Sequence, residues 1–283
     1  MRIKISILLA GLASALLFAG FAPGAAASTA PVYFVALGDS LATGAQPAHS
    51  GVFAGLRAAN GTNRGYADVL YDLVRDELGN LQLRNFGCGG ETTASLIAGG
   101  NPTCGYARSS QLDQTVAFLE GHEGEIAFVT IDIGANDLLA GGGLPAIAQN
   151  LPVILDALRD VVGPDVPIVG MNYYDPFVVP VWFQTQSLAA LQAEAASIAA
   201  FDDFLEGIYQ AHGIPVADVQ SAFAVTDHTI QPSGLPLSVQ NACEWTWMCA
   251  AGDIHPNDAG YRVIAQAFAA EVGTNAIASS APR

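Results

Sequence analysis

Basic residues are scarce in this 283-residue chain. Ten Lys and Arg stand against 26 Asp and Glu, Lys4 is the only lysine, and the formal net charge is −16. A surface this acidic repels phosphate backbones and anionic head groups, which argues against a nucleic-acid partner and against electrostatic membrane docking. Three sequence signatures are also missing. There is no C-x-x-C pair of the kind structural zinc uses, no His-Glu-x-x-His helix, and no Gly-x-Ser-x-Gly turn, since Ala42 follows where the last glycine would stand. No metal and no organic cofactor is expected. There are only four cysteines, Cys88, Cys104, Cys243 and Cys249. Short loops cost the least entropy to close, so local pairing of Cys88 with Cys104 and Cys243 with Cys249 is favoured.

What is abundant is apolar surface, at 51% of residues, enough for a full core. Arg2 and Lys4 precede the apolar run from Ile5 to Phe21, and small residues follow up to Ala27. That order describes a secretory signal peptide over residues 1–27, cut after Ala27, with one domain over 28–283 and a secreted location. The apolar run is short, and Pro23 and Gly24 follow it rather than a charged flank, which argues against a membrane anchor. Export also suits disulfide formation.

Along the chain, continuous β-rich runs over 32–37, 81–86, 126–133, 167–171 and 216–219 read as strands buried on both faces. Helical periodicity covers 66–78, 111–119, 144–162, 184–212 and 257–272, with Pro152 expected to kink or divide the third and Asn257 placed to cap the last. Strands alternating with such helices imply a parallel sheet covered on both sides. The connection over 221–252 is long for a compact domain and reads as a loop that shapes a site or is pinned by a disulfide.

Binding groups in such sheets gather at the carboxyl ends of the strands, and four polar motifs fall there. Gly38-Asp39-Ser40-Leu41 follows the first strand, with Ser40 at the start of a helix. Residues 85–92, Asn-Phe-Gly-Cys-Gly-Gly-Glu-Thr, follow the second, and their glycines let backbone N–H groups approach a ligand closely. Gly134-Ala135-Asn136-Asp137 follows the third run, and Asp253-Ile254-His255-Pro256 precedes the last helix. A neutral imidazole is suited to take a serine proton near neutral pH. Taken singly, each motif is equally well a helix cap, a turn or a surface histidine.

In combination and in this order, the four blocks resemble those of the GDSL or SGNH hydrolases, and they span nearly all of the chain after the signal. The resemblance implies a three-layer α/β/α sandwich with a central parallel sheet. It makes Ser40 the nucleophile, His255 the general base, and Ser40, Gly90 and Asn136 the oxyanion donors. The family commonly has Asp three residues before the histidine, where this chain has Gly252. The third triad member is therefore either Asp253 or a backbone carbonyl near Gly252. The implied activity is hydrolysis of carboxylic esters, lipid-like or otherwise neutral given the acidic surface, by a monomer. Deacetylation of extracellular polysaccharide, acyl transfer, and a non-catalytic secreted binding protein on the same fold are the alternatives. Trp245 and Trp247, between Cys243 and Cys249 and close to His255, are candidates to line an acyl pocket. Tyr173, Tyr174, Phe177, Trp182 and Phe183 form a second aromatic cluster.

Overall fold

The first strand, β1 (Val32–Gly38), is apolar along its length and buried from Phe34 onward, as a strand covered on both faces must be. The computed structural model describes residues 31–47, 64–106 and 108–279, so the expected signal peptide lies outside the described residues. After β1 come α1 (Ser40–Thr43), α2 (Tyr66–Leu78), β2 (Leu81–Asn85), α3 (Thr93–Ala98), α4 (Gln111–Glu120), β3 (Ile126–Asp132), α5 (Ala135–Leu139), α6 (Gly143–Val162) and β4 (Ile168–Met171). The chain continues through α7 (Val178–Thr185), α8 (Leu188–Ala211), β5 (Val216–Ala217), α9 (Val219–Ala222), α10 (Leu237–Trp245), α11 (Met248–Ala251) and α12 (Asp258–Ser279).

The five strands form one parallel sheet in the order β2-β1-β3-β4-β5, with β1 paired on both sides. Helices cover it in two groups, α2 with α12 and α3, α4 and α8 with α6, giving the α/β/α architecture expected from the alternation of elements. Residues Tyr66, Ala67, Leu70 and Val74 recur at helical spacing on α2 and are buried. Their counterparts on α12 are Tyr261, Ile264, Ala265 and Phe268, and the rings of Tyr66 and Phe268 stack with centroids 4.5 Å apart. No described helix is long and apolar enough to cross a membrane.

Several expectations needed correction. Pro152 does not divide α6, because Ile147, Leu151, Ile154, Leu155 and Leu158 keep one buried stripe across it and that packing outweighs the lost hydrogen bond. The expected helix over 184–212 is two helices. Gln186 takes a left-handed conformation with φ 51°, and the Ser187 side chain caps α8 through the Ala190 N–H. The connection over 221–252 is pinned by the Cys243–Cys249 disulfide, as expected, but it holds the helices α10 and α11 and is not simply a loop. Asn257 does cap α12, its side-chain oxygen accepting from Ala259 and Gly260 at 3.0 and 3.1 Å.

Candidate active site

The strand β1 ends in a position only glycine can fill. Gly38 has φ 142°, and a Cβ there would lie 2.1 Å from the Asp132 side chain on the neighbouring strand β3. The next residue, Asp39, caps α1 by accepting from the Leu41 N–H at 2.9 Å, which places Ser40 at the first helical position, over the carboxyl end of the sheet. Beneath it lies a buried acid pair. The Asp39 N–H donates to Asp132 Oδ2 at 3.2 Å, and the Tyr66 hydroxyl donates to Asp132 Oδ1 at 2.8 Å. Burial, reinforced by the charge of Asp39, pushes the Asp132 carboxyl well above the ordinary aspartate range.

His255 reaches the same point from the turn before α12. Its Nε2 is 2.9 Å from Ser40 Oγ, and its Nδ1 is 2.8 Å from Asp253 Oδ1. The same Asp253 oxygen also accepts the His255 backbone N–H at 2.8 Å. With a carboxylate on Nδ1, that nitrogen carries the proton and Nε2 is left to accept from the serine. Burial raises the Asp253 carboxyl, but the His255 side-chain and backbone hydrogen bonds and the histidine charge outweigh it and hold the group below the ordinary aspartate range. Of the two candidates for the third member, it is the Asp253 carboxylate that meets Nδ1. A carboxylate two residues before the histidine folds back onto the ring, and no Gly252 carbonyl contact is needed.

The turn is held on three sides. The Trp247 N–H donates to the His255 carbonyl at 2.9 Å, Thr246 bridges Pro256, and the Tyr174 hydroxyl donates to the Ile254 carbonyl at 2.8 Å.

Facing Ser40 is the loop after β2. Gly90 sits there with φ 77°, a conformation that favours glycine. The loop is tied down by the Cys88–Cys104 disulfide, by the Cys88 N–H on the Gly38 carbonyl at 3.0 Å, and by the buried Glu91, which accepts from Ser95, Tyr106 and Gln111. The N–H groups of Ser40 and Gly90 have no acceptor among the described residues. Asn136, in the first turn of α5, sits between the two blocks. Its side-chain amide donates to Asp39 Oδ2 at 3.1 Å and to the Glu91 carbonyl at 3.0 Å, so both of its hydrogens are already engaged.

The sequence and the fold have counterparts among known proteins. The sequence profile of the GDSL-like Lipase/Acylhydrolase family matches residues 36–263, which contain all four blocks. The chain belongs to the GDSL-like Lipase/Acylhydrolase family. Solved structures share the fold of this family member at low identity. A GDSL-like lipase from Parabacteroides merdae is 14% identical with a TM-score of 0.54, covering 86% of this chain and 95% of its own. A variant of an acetyl xylan esterase from Geobacillus stearothermophilus is 20% identical with a TM-score of 0.53, covering 86% and 94%. An alpha/beta hydrolase enzyme from the metagenome of Lake Arreo, Spain, is 22% identical with a TM-score of 0.51, covering 86% and 95%. No curated protein matches the sequence.

In this GDSL-like hydrolase an apolar cleft of about 110 Å³ opens beside Ser40 and His255. Its walls come from the segment after β4 (Tyr173, Tyr174, Phe177), from Leu138 and Leu139 on α5, and from Ile198 and Phe201 on α8. Trp245 and Trp247 are not among its lining residues, which corrects the expectation drawn from their nearness to His255 in sequence. Trp245 packs edge-on against Phe223, and the Trp247 indole donates to Gln46 at 3.0 Å, so both support the histidine turn from behind. Of the second aromatic cluster, Tyr173, Tyr174 and Phe177 line the cleft, Trp182 is buried in a separate small core, and Phe183 is exposed.

Both disulfides pair locally, Cys88 with Cys104 and Cys243 with Cys249. Cys88, Glu91 and Cys104 lie close enough together to suggest a metal site, but the two sulfurs are bonded to each other and present no thiolate. Sequence reasoning passed over Asp132, Glu91 and Gln111, whose buried contacts join residues far apart in the chain.

Proposed function

We propose that this hydrolase is a secreted serine esterase that cleaves carboxylic, lipid-like acyl esters through an acyl-enzyme on Ser40. The observation that carries the proposal is the unbroken chain from Ser40 Oγ through His255 to Asp253, with links of 2.9 and 2.8 Å. His255 Nε2 takes the Ser40 proton as Oγ bonds to the ester carbon. The carbonyl oxygen becomes an oxyanion facing the Ser40 and Gly90 N–H groups, and the Asn136 amide turns to it from the Glu91 carbonyl as the charge develops. The C–O bond to the alcohol then breaks, the alkoxide leaves with the proton from His255, and water repeats the sequence on the acyl-enzyme.

The apolar cleft beside the nucleophile and the acidic composition support neutral, apolar esters over anionic ones. The N-terminal segment over 1–27 and the two disulfides support export. Polysaccharide deacetylation is the second reading, because one structure of the same fold is that of an acetyl xylan esterase.

Hydrolysis of a p-nitrophenyl ester series, acetyl through palmitoyl, by the protein and its Ser40→Ala variant tests the reading. Turnover that vanishes in the variant supports a serine esterase. A preference confined to acetyl would move the reading to a deacetylase. An inert Ser40, unlabelled by a fluorophosphonate, would overturn the catalytic reading in favour of a binding protein.

A further inference from the structure

The apolar cleft contains two buried polar groups whose hydrogen-bonding capacity the fold does not use up. Tyr173 and Asp175 both line it, only 4% and 3% exposed, among Pro176, Phe177, Ile198 and Phe201. Asp175 Oδ1 has a structural task, since it accepts the Phe177 N–H at 2.8 Å and forms the turn into α7. That task needs one oxygen, and a serine or asparagine would supply it. Oδ2 is buried and has no partner among the described residues. The Ala135 amide lies near enough to the Tyr173 oxygen to favour its anion, while the hydroxyl proton finds no acceptor. Leaving a carboxyl oxygen and a phenol unpaired in apolar surroundings is costly, and natural sequences retain such costs mainly where a ligand completes the hydrogen bonds.

We propose that Tyr173 and Asp175 form a hydrogen-bonding subsite in the cleft, selecting esters that carry a hydroxyl group beyond the scissile carbonyl. This rests on the esterase reading of Ser40. Burial, with the charge of Glu194 on α8 adding to it, pushes the Asp175 carboxyl up to about 7. Near neutrality a large share of the molecules thus carries a carboxylic acid that donates to the substrate hydroxyl, while Tyr173 completes the pair. An unhydroxylated chain of the same length leaves Asp175 Oδ2 and the Tyr173 hydroxyl proton without a partner. A site built this way discriminates more strongly than an apolar wall does.

The hydroxyl can belong to the acyl group or to the alcohol, and matched esters separate the two. The acyl arm compares p-nitrophenyl hexanoate with its 3-hydroxy and 6-hydroxy forms. The alcohol arm compares propyl butyrate with 3-hydroxypropyl butyrate. The expected result is a kcat/KM at least tenfold higher for the hydroxylated member in one arm. The Tyr173→Phe and Asp175→Ser variants should bring that ratio towards one, the latter keeping a turn-forming oxygen. Equal kcat/KM within every pair would overturn the subsite while leaving the esterase reading intact. If no ester is turned over, calorimetry on the Ser40→Ala protein with hexanoate and its hydroxylated forms, and with propanol and propanediol, still decides the matter. Tighter binding of a hydroxylated member by tenfold, lost in Tyr173→Phe, supports the subsite, and equal affinities overturn it.

Discussion

Replacing Asp253 by Asn isolates the charge of the third triad member from its geometry. In chymotrypsin-type proteases the equivalent change costs roughly 10⁴-fold in kcat, because the new amide stabilises the wrong imidazole tautomer. Here one oxygen, Asp253 Oδ1, accepts both the backbone N–H and the Nδ1–H of His255 at 2.8 Å. An asparagine oxygen in that place keeps both bonds, since two donors converge on it and an NH₂ group would face them with none of its own acceptors. The tautomer therefore survives, and what is lost is the extra strength of a charged acceptor. Hydrogen bonds to charged groups contribute about 1.5–3 kcal/mol against about 1 kcal/mol for neutral ones. The difference, about 0.5–2 kcal/mol, predicts a fall in kcat of roughly 2–30-fold for Asp253→Asn. Asp253→Ala removes both bonds and should cost at least tenfold more. The assay is p-nitrophenyl butyrate hydrolysis near neutral pH, with fluorophosphonate labelling as a second readout of Ser40 reactivity. Equal losses in the two variants would refute the single-oxygen argument, and unchanged turnover in both would remove Asp253 from the triad.

Three further outcomes follow from the same geometry. Asn136→Ala should lower turnover by roughly 10²-fold on the same ester, and unchanged turnover would take Asn136 out of the oxyanion hole. Serine at both Cys243 and Cys249 opens a loop of sequence separation 6 and should destabilise the protein by about 2 kcal/mol in a denaturant titration. Because Trp247 in that loop holds the His255 carbonyl, kcat should fall too. Stability should rise on acidification from about pH 7 towards 4. Burial pushes Asp175 and Asp202 up to about 7, so between the ordinary aspartate range and that value the folded state binds more protons than the unfolded chain. Each group contributes at most roughly 4 kcal/mol. A melting temperature that falls steadily over this range would contradict the assignment.

The sheet and the meeting of Ser40 with His255 were legible in the sequence because local pattern and chemistry coincide there. The run Val32–Leu37 reads as a doubly buried strand, and Ser40 and His255 follow from where strands end and the last helix begins. The Asp253 assignment was not legible, since whether a carboxylate two residues back meets its own imidazole depends on the turn, which Gly252 enters with φ 66°. Trp245 and Trp247 misled for a related reason. Nearness in sequence to His255 does not say which side of the turn a ring takes, and the Trp247 indole turns towards Gln46, two hundred residues away in the chain. The helix α7 was hidden by Pro180, tolerated in its first turn. The buried contacts of Asp132 with Tyr66 and of Glu91 with Gln111 left no local periodicity to find.

The double engagement of Asn136 bears on when its stabilising effect is felt. Its amide already donates to a backbone carbonyl, that of Glu91, and to the Asp39 carboxyl. An intact ester carbonyl offers it nothing stronger than the carbonyl it holds, so exchanging partners as the substrate binds brings no gain. A tetrahedral oxyanion is a different acceptor, since charge-assisted hydrogen bonds are about twice as strong as neutral ones. Exchange becomes favourable only as that charge develops. In the proposed mechanism the residue thus contributes to the barrier and not to substrate affinity, which is the distribution of binding energy that raises kcat and leaves KM alone.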